Sequence, residues 1–212
     1  MIKEFCAENF NNVPVAIANG ANRIELCDDL SVGGITPKDD VIKLAVQHAH
    51  QFDVKVMTMI RLSAGNFIYD DAEIRRMRST IIKAKRFGAD GIVVGCLTTD
   101  NWIDEKAMIQ LIAAAGEIQI TFHMAFDLIP LERQFEAVDW LAAQGVTRIL
   151  THGGAMNKPI EAHYEWLKTL INYADQRIVI LPGGGINYQN VDEVVKKLMI
   201  SEVHGTKIVK LN

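Results

Sequence analysis

Three stretches of the chain read Gly20-Ala21-Asn22-Arg23-Ile24, Gly88-Ala89-Asp90-Gly91-Ile92 and Gly145-Val146-Thr147-Arg148-Ile149. In each, a glycine closes a helical pattern and a short apolar strand begins a few residues later. Glycine suits that place because helices commonly end on a left-handed residue, where a Cβ would clash. The weaker Ile200-Ser201-Glu202-Val203 fills the same role near the end of the chain. A unit repeated in this way marks a βα array, not a pair of unrelated domains.

Working outward, strands are expected near 3–7, 23–27, 55–61, 91–96, 118–123, 148–152, 178–182 and 202–205. Helical patterns fall near 12–20, 39–51, 71–87, 104–115, 131–144, 160–174 and 190–199. Strict alternation of eight strands and seven helices, with right-handed crossovers, favours closure into a barrel. An open doubly wound sheet is the alternative, and it would need a switch point in its strand order. The reading is a single α/β domain over 1–212, a TIM-type (β/α) barrel of eight parallel strands. Its final helix is missing or truncated, because the sequence ends at Asn212, a few residues beyond the eighth strand. That should leave an apolar strip between the first and seventh helices, to be covered by another subunit. A homo-oligomer, dimer or tetramer, is the expectation.

Hydrophobic residues make up 49% of the chain and charged residues 23%, enough to build a core and too few charges for disorder. A net charge of −4 and a pI near 5.9 argue against nucleic acid as a partner, which calls for a basic stripe. No apolar run approaches the roughly 20 residues that span a bilayer, and no basic amphipathic segment suits a membrane surface. The Met1-Ile2-Lys3-Glu4-Phe5-Cys6 start runs straight into strand-like sequence without a leader pattern, so a cytoplasmic protein is expected. Three cysteines, an odd number, form no disulfide framework and should be free thiols.

Residues two apart on a barrel strand share a face. The first strand carries Glu4-Phe5-Cys6 and the second Glu25-Leu26-Cys27, the same acid-and-thiol triplet twice. Phe5 and Leu26 read as outward residues beneath helices, which turns Glu4, Cys6, Glu25 and Cys27 inward. The third strand offers Met57, Met59 and Arg61, the fifth Thr121 and His123 with Asp127 just beyond, and the eighth Glu202 and His204. Buried charges must pair with one another or with a ligand. Glu4 and Glu25 with Arg61 would make a structural ion-pair network, with His123 a satisfied core histidine. At the C-terminal mouth, where barrels carry their sites, the same groups would instead be functional. The Gly183-Gly184-Gly185 turn after the seventh strand, with His204 ending the eighth, suits an anion or phosphate site.

Several of these segments together resemble the CutC family. They are Glu25-Leu26-Cys27 with Gly33-Gly34-Ile35-Thr36-Pro37, then Met59-Ile60-Arg61, and Thr121-Phe122-His123-Met124-Ala125-Phe126-Asp127. Leu150-Thr151-His152-Gly153 and Pro182-Gly183-Gly184-Gly185-Ile186 continue the match in order, from Glu4 to His204. The resemblance implies a cytoplasmic TIM-barrel protein of copper homeostasis, with Cu(I) bound by Cys6 and Cys27. Cu(I) prefers soft thiolate and thioether ligands. Two inward cysteines at one level on strands roughly 4.8 Å apart could share an ion, with the Met59 thioether beside them. Cys96, at the end of the fourth strand, is left out.

Glutamate and arginine are hard groups that Cu(I) does not need. They sustain a second reading, a lyase or isomerase type of enzyme acting on a small metabolite, phosphorylated or not. Glu4 and Glu25 would then serve as acid and base, Arg61 would hold an anionic group and His123 would polarise it, with Asp127 a further candidate. Many family members read Ile-Arg-Pro-Arg-Gly-Gly where this chain has Ile60-Arg61-Leu62-Ser63-Ala64-Gly65, and Phe-His-Arg where it has Phe122-His123-Met124. Two positive charges are thus missing near the mouth, which argues against a strongly anionic ligand.

Overall fold

Short apolar runs bounded by turns become strands, and the amphipathic stretches between them become helices. In the computed structural model, which describes residues 1–211, the strands are β1 (Ile2–Glu8), β2 (Arg23–Cys27), β3 (Lys55–Met59), β4 (Gly91–Val94), β5 (Gln119–Phe122), β6 (Arg148–Thr151), β7 (Val179–Pro182) and β8 (Glu202–Gly205). The helices are α1 (Val13–Ala18), α2 (Asp39–His50), α3 (Asp71–Arg86), α4 (Glu105–Ala115), α5 (Gln134–Ala143), α6 (Tyr164–Ala174) and α7 (Val191–Leu198). Helix α3 shows why the sequence folds as it does locally. Asp70 and Glu73 form a reciprocal capping box at its start, and Ile74, Met77, Ile81 and Ala84 bury one face at helical spacing.

All neighbouring strands pair in parallel, in the order β8, β1, β2, β3, β4, β5, β6, β7. Among the described residues the seam between β7 and β8 carries no ladder. A parallel bridge between Asn187 and Lys207 joins the segments that follow the two strands. The result is the eight-stranded TIM-type barrel expected. β3 and β4 each stop two residues short of the sequence reading. Beyond β3, the N–H of Arg61 turns to the Thr36 hydroxyl at 2.8 Å and its carbonyl accepts from the Thr36 N–H, so the chain has left the ladder.

The main apolar mass lies between strands and helices. Phe5, Ile24, Leu26 and Val56 pack outward in one cluster, and Ile92, Val94, Ile120, Phe122 and Ile149 in another. Phe5 and Leu26 therefore face where the alternation put them. The open strip expected beside β8 is a correction. Val203 is fully buried, and Ile208 and Val209 of the tail are buried with it. A few apolar tail residues suffice to cover that one short strand.

Register decides the interior. Glu4 of β1 stands opposite Arg23 of β2 and His204 of β8, Cys6 opposite Glu25, and Glu8 opposite Cys27. The two acid-and-thiol triplets are staggered by two residues, so the cysteines do not share a level as expected. Strands in a closed barrel must tilt, and tilt shifts neighbours along their length.

Candidate thiol site and cavity at the strand ends

The deepest polar layer is an ion cluster that the sequence reading did not assemble. Arg23 Nε pairs with Glu4, and Arg23 Nη1 lies 2.7 Å from Glu202 Oε2. Arg148 Nε reaches the same Glu202 oxygen at 2.9 Å, and its Nη2 donates to Gln119 Oε1 at 2.7 Å. Both arginines open their strands in the Gly-x-x-Arg-Ile unit that decides the fold. A signal was present, since Arg23 lies two residues before the inward Glu25 and must share its face. Burial alone would raise the Glu4 carboxyl, but Arg23 and His204 overcome it and hold it at about 2.

One layer nearer the mouth, His204 bridges two carboxylates. Its Nδ1 lies 2.8 Å from Glu4 Oε1 and its Nε2 3.6 Å from Glu25 Oε2. Burial opposes a charged imidazole, yet Glu25 and Glu4 raise its pKa above the ordinary histidine value. Cys6 donates its thiol proton to Glu25 Oε2 at 3.2 Å, and its Sγ stands 4.0 Å from the Sγ of Cys27. The Cys27 bond, burial and the Glu25 charge together push the Cys6 thiol well above its usual pKa. Burial raises Glu25 as well, only partly offset by His204. Cys6, Glu25 and His204 present ligand atoms within 4.8 Å of one another. Beside them, Cys6, Cys27, Met57, Met59 and Val93 form a small apolar cluster inside the barrel.

Above these layers opens a cavity of about 530 Å³, lined in part by Cys6, Glu25, Met59, Arg61, His123 and His204. Gly184 and Gly185 also line it, whereas the Gly183 N–H is used on the Thr151 carbonyl. Cys27 is sealed from it. The Gly34 backbone passes so near that a Cβ there would sit 3.3 Å from Cys27 Sγ. Glu4 lies a layer too deep to line the cavity. Asp127 is engaged elsewhere, accepting from the Thr151 hydroxyl and from the N–H groups of His152 and Gly153.

Arg61 does not join the glutamates, so the ion-pair network weighed from sequence forms around Arg23 instead. Its Nη1 donates to the carbonyls of Val32 and Gly34 at 2.7 and 3.0 Å, and its Nη2 to that of Gly65 at 3.3 Å. Its guanidinium lies over the Phe67 ring, 4.8 Å from the centroid, and His123 lies against the same ring at 4.7 Å. His123 Nδ1 accepts from the Ala125 N–H at 3.2 Å, which places the remaining proton on Nε2. Burial and the nearby Arg61 charge lower its pKa to about 3, so the ring stays neutral.

Fold and site together define a TIM-barrel protein with a thiol-bearing cavity at its strand ends. The chain belongs to the CutC family, whose family model matches residues 1–209. A CutC family protein of Enterococcus faecalis is 58% identical over 209 residues, 99% of this chain and 100% of that one. A human protein named copper homeostasis protein cutC homolog is 36% identical and is matched over 96% of this chain and 72% of its own. The crystal structure of a CutC protein from Streptococcus agalactiae superposes with a TM-score of 0.95 at 41% identity, covering 99% of this chain and 100% of that chain.

Proposed function

We propose that this protein serves copper homeostasis in the cytoplasm by holding Cu(I) between Cys6 and Cys27. The observation that carries the reading is the 4.0 Å separation of the two sulfurs inside a buried, sulfur-rich cluster with Met59. That separation is short enough for both sulfurs to reach one ion with metal–thiolate bonds of about 2.3 Å. Cu(I) favours soft ligands, and Met59, in the same cluster, would offer it a thioether beside the two thiols. Capture of the ion as a dithiolate requires both thiol protons to leave; Glu25 Oε2, already the acceptor from Cys6, would take that one, and the Cys27 proton, held on the Ala7 carbonyl, would pass to solvent. The three cysteines are free and buried, a state that suits a reducing compartment, and among the described residues no helix is long and apolar enough to cross a membrane.

An anaerobic titration against a competing Cu(I) chelator tests this. One ion per chain is expected, with Cys6→Ser and Cys27→Ser each losing more than the ~10–100-fold typical of an outer-shell change. His123→Ala should bind as the parent does. Retention of full affinity in either cysteine variant refutes the reading.

A further inference from the structure

The cavity is far larger than a single metal ion needs, and its walls carry polar atoms that the thiol site leaves unused. At about 530 Å³ it falls in the range of roughly 300–1,000 Å³ typical of pockets for small organic molecules. Three of the residues lining it each hold one buried side-chain atom without a hydrogen-bond partner among the described residues: Arg61 Nε, His123 Nε2 and Glu25 Oε1. Two are donors and one is an acceptor.

Arg61 decides the charge of what fits. It is 5% exposed, and no carboxylate among the described residues forms an ion pair with it. The other buried cations are matched, Arg23 and Arg148 by Glu4 and Glu202, and His204 by Glu4 and Glu25. A buried cation satisfied only by carbonyls lacks a counter-charge. His123 lies against the same Phe67 ring and adds a neutral N–H donor. Its ring is held by the Ala125 N–H and by Gly95, where a Cβ would stand 2.6 Å from His123 Cε1. One unpaired buried cation and one neutral donor side by side suit a singly charged carboxylate; of the other basic residues lining the cavity, His204 is already paired with Glu4 and Glu25 and Lys207 is exposed at the rim.

From this set we infer that the cavity binds a small hydroxy carboxylic acid. Its carboxylate accepts from Arg61 Nε and His123 Nε2, and its hydroxyl donates to Glu25 Oε1. The site uses neither sulfur as a ligand, so it stands or falls apart from the copper reading. Met59 and Leu150 offer apolar wall for the carbon skeleton.

The test follows the His123 ring nitrogens by NMR in the full, copper-free chain, titrated with glycolate and 3-hydroxybutyrate and, as controls, acetate and glycerol. Saturable shifts of the Nε2 signal are expected with both hydroxy acids. Acetate should bind several-fold more weakly, and glycerol should give no saturation. Arg61→Gln, checked for folding by the same spectra, should weaken hydroxy-acid binding about tenfold or more, as loss of a charged hydrogen bond does. No saturation with either hydroxy acid, equal binding of glycerol or acetate, or an unaltered affinity in Arg61→Gln would overturn the inference. The wild-type titration is decisive even if the variant fails to fold.

Discussion

Cys6 and Glu25 stand opposite one another in the β1–β2 ladder, and the Cys6 thiol donates to Glu25 Oε2 at 3.2 Å. The pairing puts a buried carboxylate against a buried thiol, so the Glu25 charge keeps the proton on Cys6 while the bond from Cys6 favours the ionised carboxylate. Of the causes that raise the Cys6 pKa, the Glu25 charge is the one a conservative substitution removes cleanly. Glu25→Gln should therefore lower the pH midpoint at which Cys6 is alkylated by a small thiol reagent, followed by mass spectrometry of the Cys6 peptide. An unchanged midpoint would mean that Glu25 does not govern the thiol.

Arg23 is the hub of the deep ion cluster, with side-chain exposure of 2% and contacts to both Glu4 and Glu202. Arg23→Met strips one positive partner from each of two acids, leaving the fully buried Glu4 with His204 alone and Glu202 with Arg148. Removing one member of a buried pair costs about 3–5 kcal/mol. Urea unfolding should show a loss of that size, partly recovered when Glu4→Gln is added, because the uncompensated carboxylate goes with it. A double variant no more stable than the single one would count against this coupling.

Stability should depend on pH in opposite directions on the two sides of this cluster. Glu4 is held at about 2, below its ordinary 4.5, so its contribution is present above 4.5 and drains away as pH falls toward 2. His204 is raised above 6.5, so its contribution is whole below 6.5 and is lost as pH rises through the folded value. Glu25, raised from 4.5, works against Glu4 and costs stability once it must ionise. Differences between variants isolate each group. Denaturation profiles of His204→Gln should lack the alkaline decline of the parent, while Glu4→Gln should lack the acid one. Parallel profiles would contradict the assignment.

Gly95 makes room for the His123 ring. A methyl there would lie 2.6 Å from Cε1 and 2.7 Å from Nδ1, too near for either to stay. Gly95→Ala should destabilise the protein by ~1–3 kcal/mol, the cost of overpacking a filled site, and should break the bond from Ala125. Thermal unfolding and the ring nitrogen shifts of His123 measure both. A stable variant with unchanged shifts would show that the ring is not confined as described.

Much of the barrel was legible because its signals are local. A helix must end and a strand must alternate by backbone geometry alone, so the repeated unit of a helix-closing glycine and a short apolar strand marked the βα array. The same alternation turned Glu4, Cys6, Glu25 and Cys27 inward and Phe5 and Leu26 outward. The signal for Arg23 was present too, two residues before Glu25, but an arginine opening an apolar strand reads first as a surface residue.

By itself, then, the sequence determined which residues face the barrel axis and that the carboxyl ends of the strands carry thiols, acids and an imidazole. Only the tertiary structure decided who meets whom. Tilt in the closed sheet slides β2 past β1 by two residues, which sets Cys6 beside Glu25, Glu4 beside Arg23 and Cys27 under the Gly34 loop. It also left Arg61 among loop carbonyls instead of carboxylates. Facing is a property of one strand, whereas partnership depends on how far its neighbours are shifted when the barrel closes.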